Sequence, residues 1–226
     1  MNVTLQHPLC TVVHTGGLTR GGSQMLSEND KIRMGGCGIV AAAEVLIYLC
    51  RYHNCDGREL LGDIPFTDPV PMDSYNLLLR KITASYIPLL TRSGVNGLVL
   101  TGGLNLIFLK HGFPWHGVWC MGKNSFFDNV AEQLGRDVPV IMSVGPNLPN
   151  LWGKNRLDFY TLRQDGQCEK AAAVNSHYVI ATGIDDEWIR ISSWGRTFYI
   201  NRKEYSEYIR RYSGSIVCNL LRITKK

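Results

Sequence analysis

The sequence contains no apolar run approaching the roughly 18 residues of a membrane-spanning helix. It also has no basic tail and no dense Lys/Arg cluster, since 24 basic against 19 acidic side chains leave a net charge of only +5 over 226 residues. The first absence predicts no membrane partner, and the second removes nucleic acid as the default one. Met1 to Pro8 carry no cationic stretch followed by an apolar run, so no secretory leader is predicted there. No internal repeat or low-complexity segment is present. A disulfide framework is missing too: Cys10, Cys37, Cys50, Cys55, Cys120, Cys168 and Cys218 are odd in number and unevenly scattered. Read as reduced thiols, they predict a cytoplasmic setting.

What is present is a chain 45% hydrophobic and 19% charged, enough to bury a sizeable core. The order of its patterns predicts an α+β protein in one domain over 1–226: a loop-rich extension at 1–23, a mainly helical part at 24–110 and a mainly β part at 111–226. Residues 1–36 are punctuated by Gly16-Gly17, Gly21-Gly22 and Gly35-Gly36, and read as loops with at most an edge strand. Cys37 to Cys50 is apolar on nearly every face and too long for a strand, hence a buried central helix. Helices are expected near 73–85, 103–111 and 126–134, and a buried strand within 138–144. A meander follows, with strands at 177–182, 188–192 and 197–200, a helix at 202–211 and a strand at 215–222.

Two residues carry candidate chemistry. Cys37 opens the buried helix directly after two glycines, where unpaired N–H groups and the positive dipole end favour a thiolate. His177 opens a strand, from which an imidazole could project toward that helix end. A turn centred on 184–187 places His177 opposite Ser192, Ser193 or Trp194, close enough for a polar group there to orient the ring. Asp185 and Asp186 fall in the turn itself, about 25 Å from His177 along the strand, and read as turn formers.

Gly36-Cys37-Gly38 before a small-residue helix, Val138-Pro139-Val140-Ile141, Ser176-His177-Tyr178-Val179 and Ser192-Ser193-Trp194-Gly195 occur in that order. The set resembles the papain-like cysteine peptidases, and within them the bacterial group related to bacteriocin-leader-processing (double-glycine) peptidases. The resemblance runs from Gln24 to the C-terminus, with little contribution from the middle third. It implies a papain-like fold and a thiol protease or amidohydrolase, with Cys37 as nucleophile, His177 as base and a glutamine upstream as oxyanion donor. Gln24 is the available glutamine, with Asn29 as the competing amide. The family's third residue, Asn or Asp two positions before Trp-Gly, is Ser192 here, a shorter and weaker orienter. Trp194 would shield its bond to the imidazole. The substrate implied is a peptide or protein lying in a cleft, with no cofactor or metal. Acyl transfer, as in a transglutaminase, would use the same pair with a different acceptor. A catalytically weakened peptide-binding protein is the rival suggested by Ser192.

Other signals carry less. Gly117 to Asn124 nearly spells a phosphate loop but has Asn after the lysine, where a Mg²⁺-binding hydroxyl belongs. Cys50, His53 and Cys55 cluster without a second pair at zinc-finger spacing. His111, His116 and the aromatic stretch 113–119 are candidate cleft-wall residues.

Overall fold

The computed structural model describes residues 2–89, 94–121, 125–163 and 165–226. It is an α+β structure with a large, mainly antiparallel sheet. The N-terminal region is more ordered than its glycines suggested, because it carries three strands: β1 (Val3–Thr4), β2 (Thr11–His14) and β3 (Gly17–Arg20). Helix α1 (Asp30–Gly35) follows, and Asn29 caps it by accepting from the Lys31 and Ile32 N–H groups. Gly36 separates it from α2 (Cys37–Tyr52). A side chain at Gly36 would strike the Ile32 carbonyl, so only glycine lets the two helices join so closely. As the uninterrupted apolar pattern predicts, α2 is buried from Gly38 to Cys50 with Val40 alone partly open.

Next come α3 (Arg58–Leu61), β4 (Val70–Pro71), α4 (Met72–Ser85) and α5 (Gly97–Lys110). Helix α5 begins six residues before its expected start, where the Asn96 side chain accepts from the Val99 N–H. Strand β5 (Trp115–Trp119) occupies the aromatic stretch, and α6 (Phe126–Gly135) leads into β6 (Val140–Val144). The hairpin of β7 (Leu157–Leu162) and β8 (Cys168–Val174) has no counterpart in the sequence reading. The meander is β9 (His177–Ile184), β10 (Trp188–Ser193) and β11 (Arg196–Asn201), followed by α7 (Arg202–Tyr212) and β12 (Leu220–Lys225). The last strand starts five residues later than its pattern indicated.

The sheet order is β5-β12-β6-β9-β10-β11-β7-β8, with β1 also pairing to β9, while β3-β2-β4 form a small separate sheet. Alternation along the central strands divides the core in two. Ile141, Ile180, Leu221 and Ile223 face the α2, α4 and α5 side, whereas Val140, Met142, Val179 and Ala181 face α6 and α7. Strand β6 is buried at every position, as its continuous apolar run requires. Helix α7 is tied down by two buried phenols: Tyr205 donates to the Ser143 carbonyl at 2.9 Å and Tyr208 to the Gly145 carbonyl at 3.0 Å. The consequence for the site is positional. The N-terminal end of α2 and the first residues of β9 lie against one another.

Candidate functional site

A cavity of about 20 Å³, room for one water-sized group, is lined by Gln24, Cys37, Glu44, His177, Ser192 and Ser193, among others. Residues far apart in sequence therefore share one small space. Cys37 is the first residue of α2, and its Gly36 cap offers no side chain to the free N–H groups. The Tyr178, Gly38 and Cys37 backbone N–H groups point at the sulfur, as expected for a helix start, yet burial outweighs them and pushes the thiol above its ordinary value. The expectation of a pre-formed thiolate is thus corrected, because desolvation beats three donors. Gly38 keeps the sulfur close to β9, since a side chain there would meet the Tyr178 ring and Val95.

His177 is 8% exposed, and burial alone lowers its imidazole from 6.5 to about 4. Its Nε2 shares a hydrogen bond of 2.8 Å with Ser193 Oγ. The Trp194 indole stacks on the same ring, with centroids 4.7 Å apart and planes 22° from parallel. Ser193 and Trp194 reach it because the β10–β11 connection is a two-residue turn. Trp194 and Gly195 have φ of 49° and 73°, and Ser193 pairs with Arg196.

The hydroxyl on His177 is therefore that of Ser193, not the expected Ser192. Ser192 Oγ donates to the Arg20 carbonyl at 3.4 Å and pairs across the sheet with Ile180, not with His177. The cause is the β9–β10 register: the turn sits later than the sequence reading placed it, and an irregularity between Arg190 and Ile191 shifts the pairing once more. Side chains alternate, so a one-residue offset exchanges Ser192 for Ser193 on the histidine side. Asp185 does form the turn, accepting from the Glu187 and Trp188 N–H groups.

Gln24 is buried against the same cavity and donates one amide hydrogen to the Arg33 carbonyl at 3.2 Å. Asn29, the competing amide, is committed to capping α1. His111 and His116 do not line the cavity. The first is held by Tyr86 and Glu59, and the second lies exposed on β5. Trp115 and Trp119 are core residues, so the aromatic stretch is an edge strand and no wall of this cavity. Of the Gly117–Asn124 motif, Gly122, Lys123 and Asn124 lie outside the described residues. At the Cys50 cluster, Trp115 donates to Cys55 Sγ and His53 bonds the Asp137 carbonyl; among the described residues no cluster of three metal-ligating side chains occurs.

Glu44 escaped the sequence reading. It lies two turns below Cys37 on the same face of α2 and is 2% exposed. Its Oε1 accepts from the Gly22 N–H at 2.8 Å, Tyr75 hydroxyl at 2.9 Å and Cys10 thiol at 3.2 Å, while Oε2 is buried without a hydrogen bond. Burial raises its carboxyl, against the pull of those donors. A side chain on Gly22 would land on the Tyr75 hydroxyl, so that glycine is what lets the chain pass Glu44 on its way to Gln24. The available signal was a lone carboxylate inside an otherwise apolar helix.

Comparison of the chain with protein-family models, curated proteins and solved structures finds no match.

Proposed function

We propose that the chain is a cysteine hydrolase of papain-like design acting on an amide bond in a peptide, working where its seven unpaired cysteines stay reduced, as in the cytoplasm. The observation that carries this reading is the shared cavity: a cysteine at a helix start, a histidine with a hydroxyl on Nε2 and a tryptophan on its face, and a glutamine amide. In the reaction His177 takes the Cys37 proton as the sulfur attacks the carbonyl carbon. The oxygen gains the negative charge, and the Cys37 N–H with the free hydrogen of the Gln24 amide would stabilise it, each such donor being worth about 2.7–4 kcal/mol. Collapse breaks the C–N bond, and His177 returns the proton to the departing amine. Water then attacks the thioester, releasing the acid and restoring the thiol. An amine acceptor in place of water would make the same intermediate serve acyl transfer.

The resting pair is neutral, with Cys37 held up and His177 held down by burial. No hydrogen bond joins the sulfur to the imidazole among the described residues. That favours a second reading, a peptide-binding protein with weakened catalysis. Peptide turnover by the wild type and by Cys37→Ala, with iodoacetamide labelling followed by mass spectrometry, separates the two. The hydrolase reading expects turnover to fall by at least about 10³-fold in the variant. It also expects Cys37 to be alkylated ahead of the other six cysteines, at a rate rising toward alkaline pH without a plateau at pH 5–7. Undiminished turnover by Cys37→Ala, or uniform labelling of the cysteines, overturns it.

A further inference from the structure

Beside the cavity, on the sheet face that α2 leaves uncovered, lies a groove of about 720 Å³, in the range of ligand clefts. Its floor crosses four adjacent strands, with Thr182 from β9, Arg190 from β10, Tyr199 from β11 and Thr161 from β7. Three inter-strand steps make this roughly 14 Å, the length of about four residues of extended peptide. Arg20 stands at its edge, and Ser192 belongs both to the groove and to the cavity of Cys37.

The charge of the groove is one-sided. No carboxylate is among its lining residues. Arg33, Arg51, Arg80, Arg136, Arg163 and Arg222 each pair with an acidic side chain elsewhere in the molecule. Arg190 instead is braced on Thr182, its Nε donating to the hydroxyl at 3.2 Å and its Nη2 to the carbonyl at 3.1 Å. Its guanidinium is thus fixed in place, and among the described residues neither it nor Arg20 has an ion pair. His7, the remaining titratable base on the lining, turns to Asp137 at 3.8 Å and stacks on Tyr52.

We propose that this groove binds an acidic peptide segment, with carboxylates on Arg190 and Arg20 and the chain running toward Ser192. A guanidinium held by other hydrogen bonds presents its remaining donors to a carboxylate at little entropic cost. Leu5, Pro8, Leu9 and Leu162 give the groove apolar walls suited to the intervening side chains. Delivery of a scissile bond to Cys37 rests on the hydrolase reading; the binding does not.

The test therefore measures binding in a protein that cannot turn over. Rhodamine-labelled peptides of alternating Glu and Ala, Gln and Ala, and Lys and Ala are titrated into the full chain carrying Cys37→Ala, with anisotropy as readout. The Glu peptide should bind at least tenfold tighter than the Gln peptide and the Lys peptide not at all. Adding Arg190→Gln should erase most of that preference, while Arg190→Lys should keep part of it, and thermal melting of each variant checks that it folds. Equal binding of the three peptides, binding of none, or an Arg190→Gln variant that folds and keeps the full preference overturns the proposal. So does a single-stranded oligonucleotide that displaces the Glu peptide at lower concentration. Charge-selective binding without any turnover by the wild type would instead remove the hydrolase reading and leave the groove standing.

Discussion

The cavity beneath Cys37 and the groove beside it share Ser192 but handle charge in opposite ways. In the cavity, burial drives each ionisable group toward its neutral form: Cys37 upward, His177 downward and Glu44 upward. In the groove, Arg20 and Arg190 face solvent-accessible space with no ion pair among the described residues. In the proposed hydrolysis the neutral Cys37 and His177 would have to generate their charge during the reaction, whereas the proposed cationic groove would use charge that is already there. Recognition and chemistry can therefore be perturbed separately, and each can be broken without the other.

The largest effect expected from this contrast is on stability in acid. His177 binds its proton less readily in the folded protein, at about 4 against 6.5, so the unfolded chain protonates first. The contribution is complete above pH 6.5 and is lost as the pH falls toward 4, on the order of 3 kcal/mol in all. The difference in unfolding free energy between the wild type and His177→Gln, followed by urea titration at successive pH values, should narrow over that window. A difference that stays constant from pH 7 to pH 4 would mean that the imidazole is not sealed from water.

A smaller effect separates the two serines. Ser193→Ala removes the partner of His177 Nε2 and should lower kcat about tenfold with KM little changed, as expected for an orienting bond of about 1.4 kcal/mol. Ser192→Ala should act less on kcat and more on KM, because its hydroxyl bonds the Arg20 carbonyl rather than His177 and the residue lines the proposed peptide groove. Steady-state kinetics on one peptide decides this, and the reverse ranking would show that the β9–β10 register differs from that described. The smallest effect concerns salt. Raising ionic strength from about 0.05 to 0.5 M should weaken binding of the Glu peptide several-fold through screening while leaving the alkylation rate of Cys37 within twofold. Equal sensitivity of both would erase the distinction between the sites.

The helix of Cys37 and the strand of His177 were legible because each announces itself locally, one by fourteen nearly unbroken apolar residues, the other by a short apolar run, Tyr178 to Ala181, after a polar start. Helices α4, α6 and α7 were legible for the same reason. What failed depended on non-local geometry. Ser192 and Ser193 are adjacent and chemically identical, so only the strand register, set by an irregularity at Arg190/Ile191, tells them apart. Strands β2 and β3 are short and poorly buried, and they gain their order by packing on the Trp194–Gly195 turn, where Arg20 N–H meets the Gly195 carbonyl at 2.9 Å. The groove is invisible in sequence because its floor draws single residues from four strands.

The backbone donor that Tyr178 offers to the Cys37 sulfur has a consequence for when reactivity appears. His177 and Ser193 are 16 residues apart and meet through a local meander, which forms with little loss of chain entropy. Cys37 and Tyr178 are separated by more than half of the chain, so their encounter requires one of the longest loop closures in the molecule. A nascent or partly unfolded chain thus lacks both the Tyr178 donor and the burial that raises the Cys37 thiol, so the surroundings of this sulfur are set only once the two halves of the chain have met.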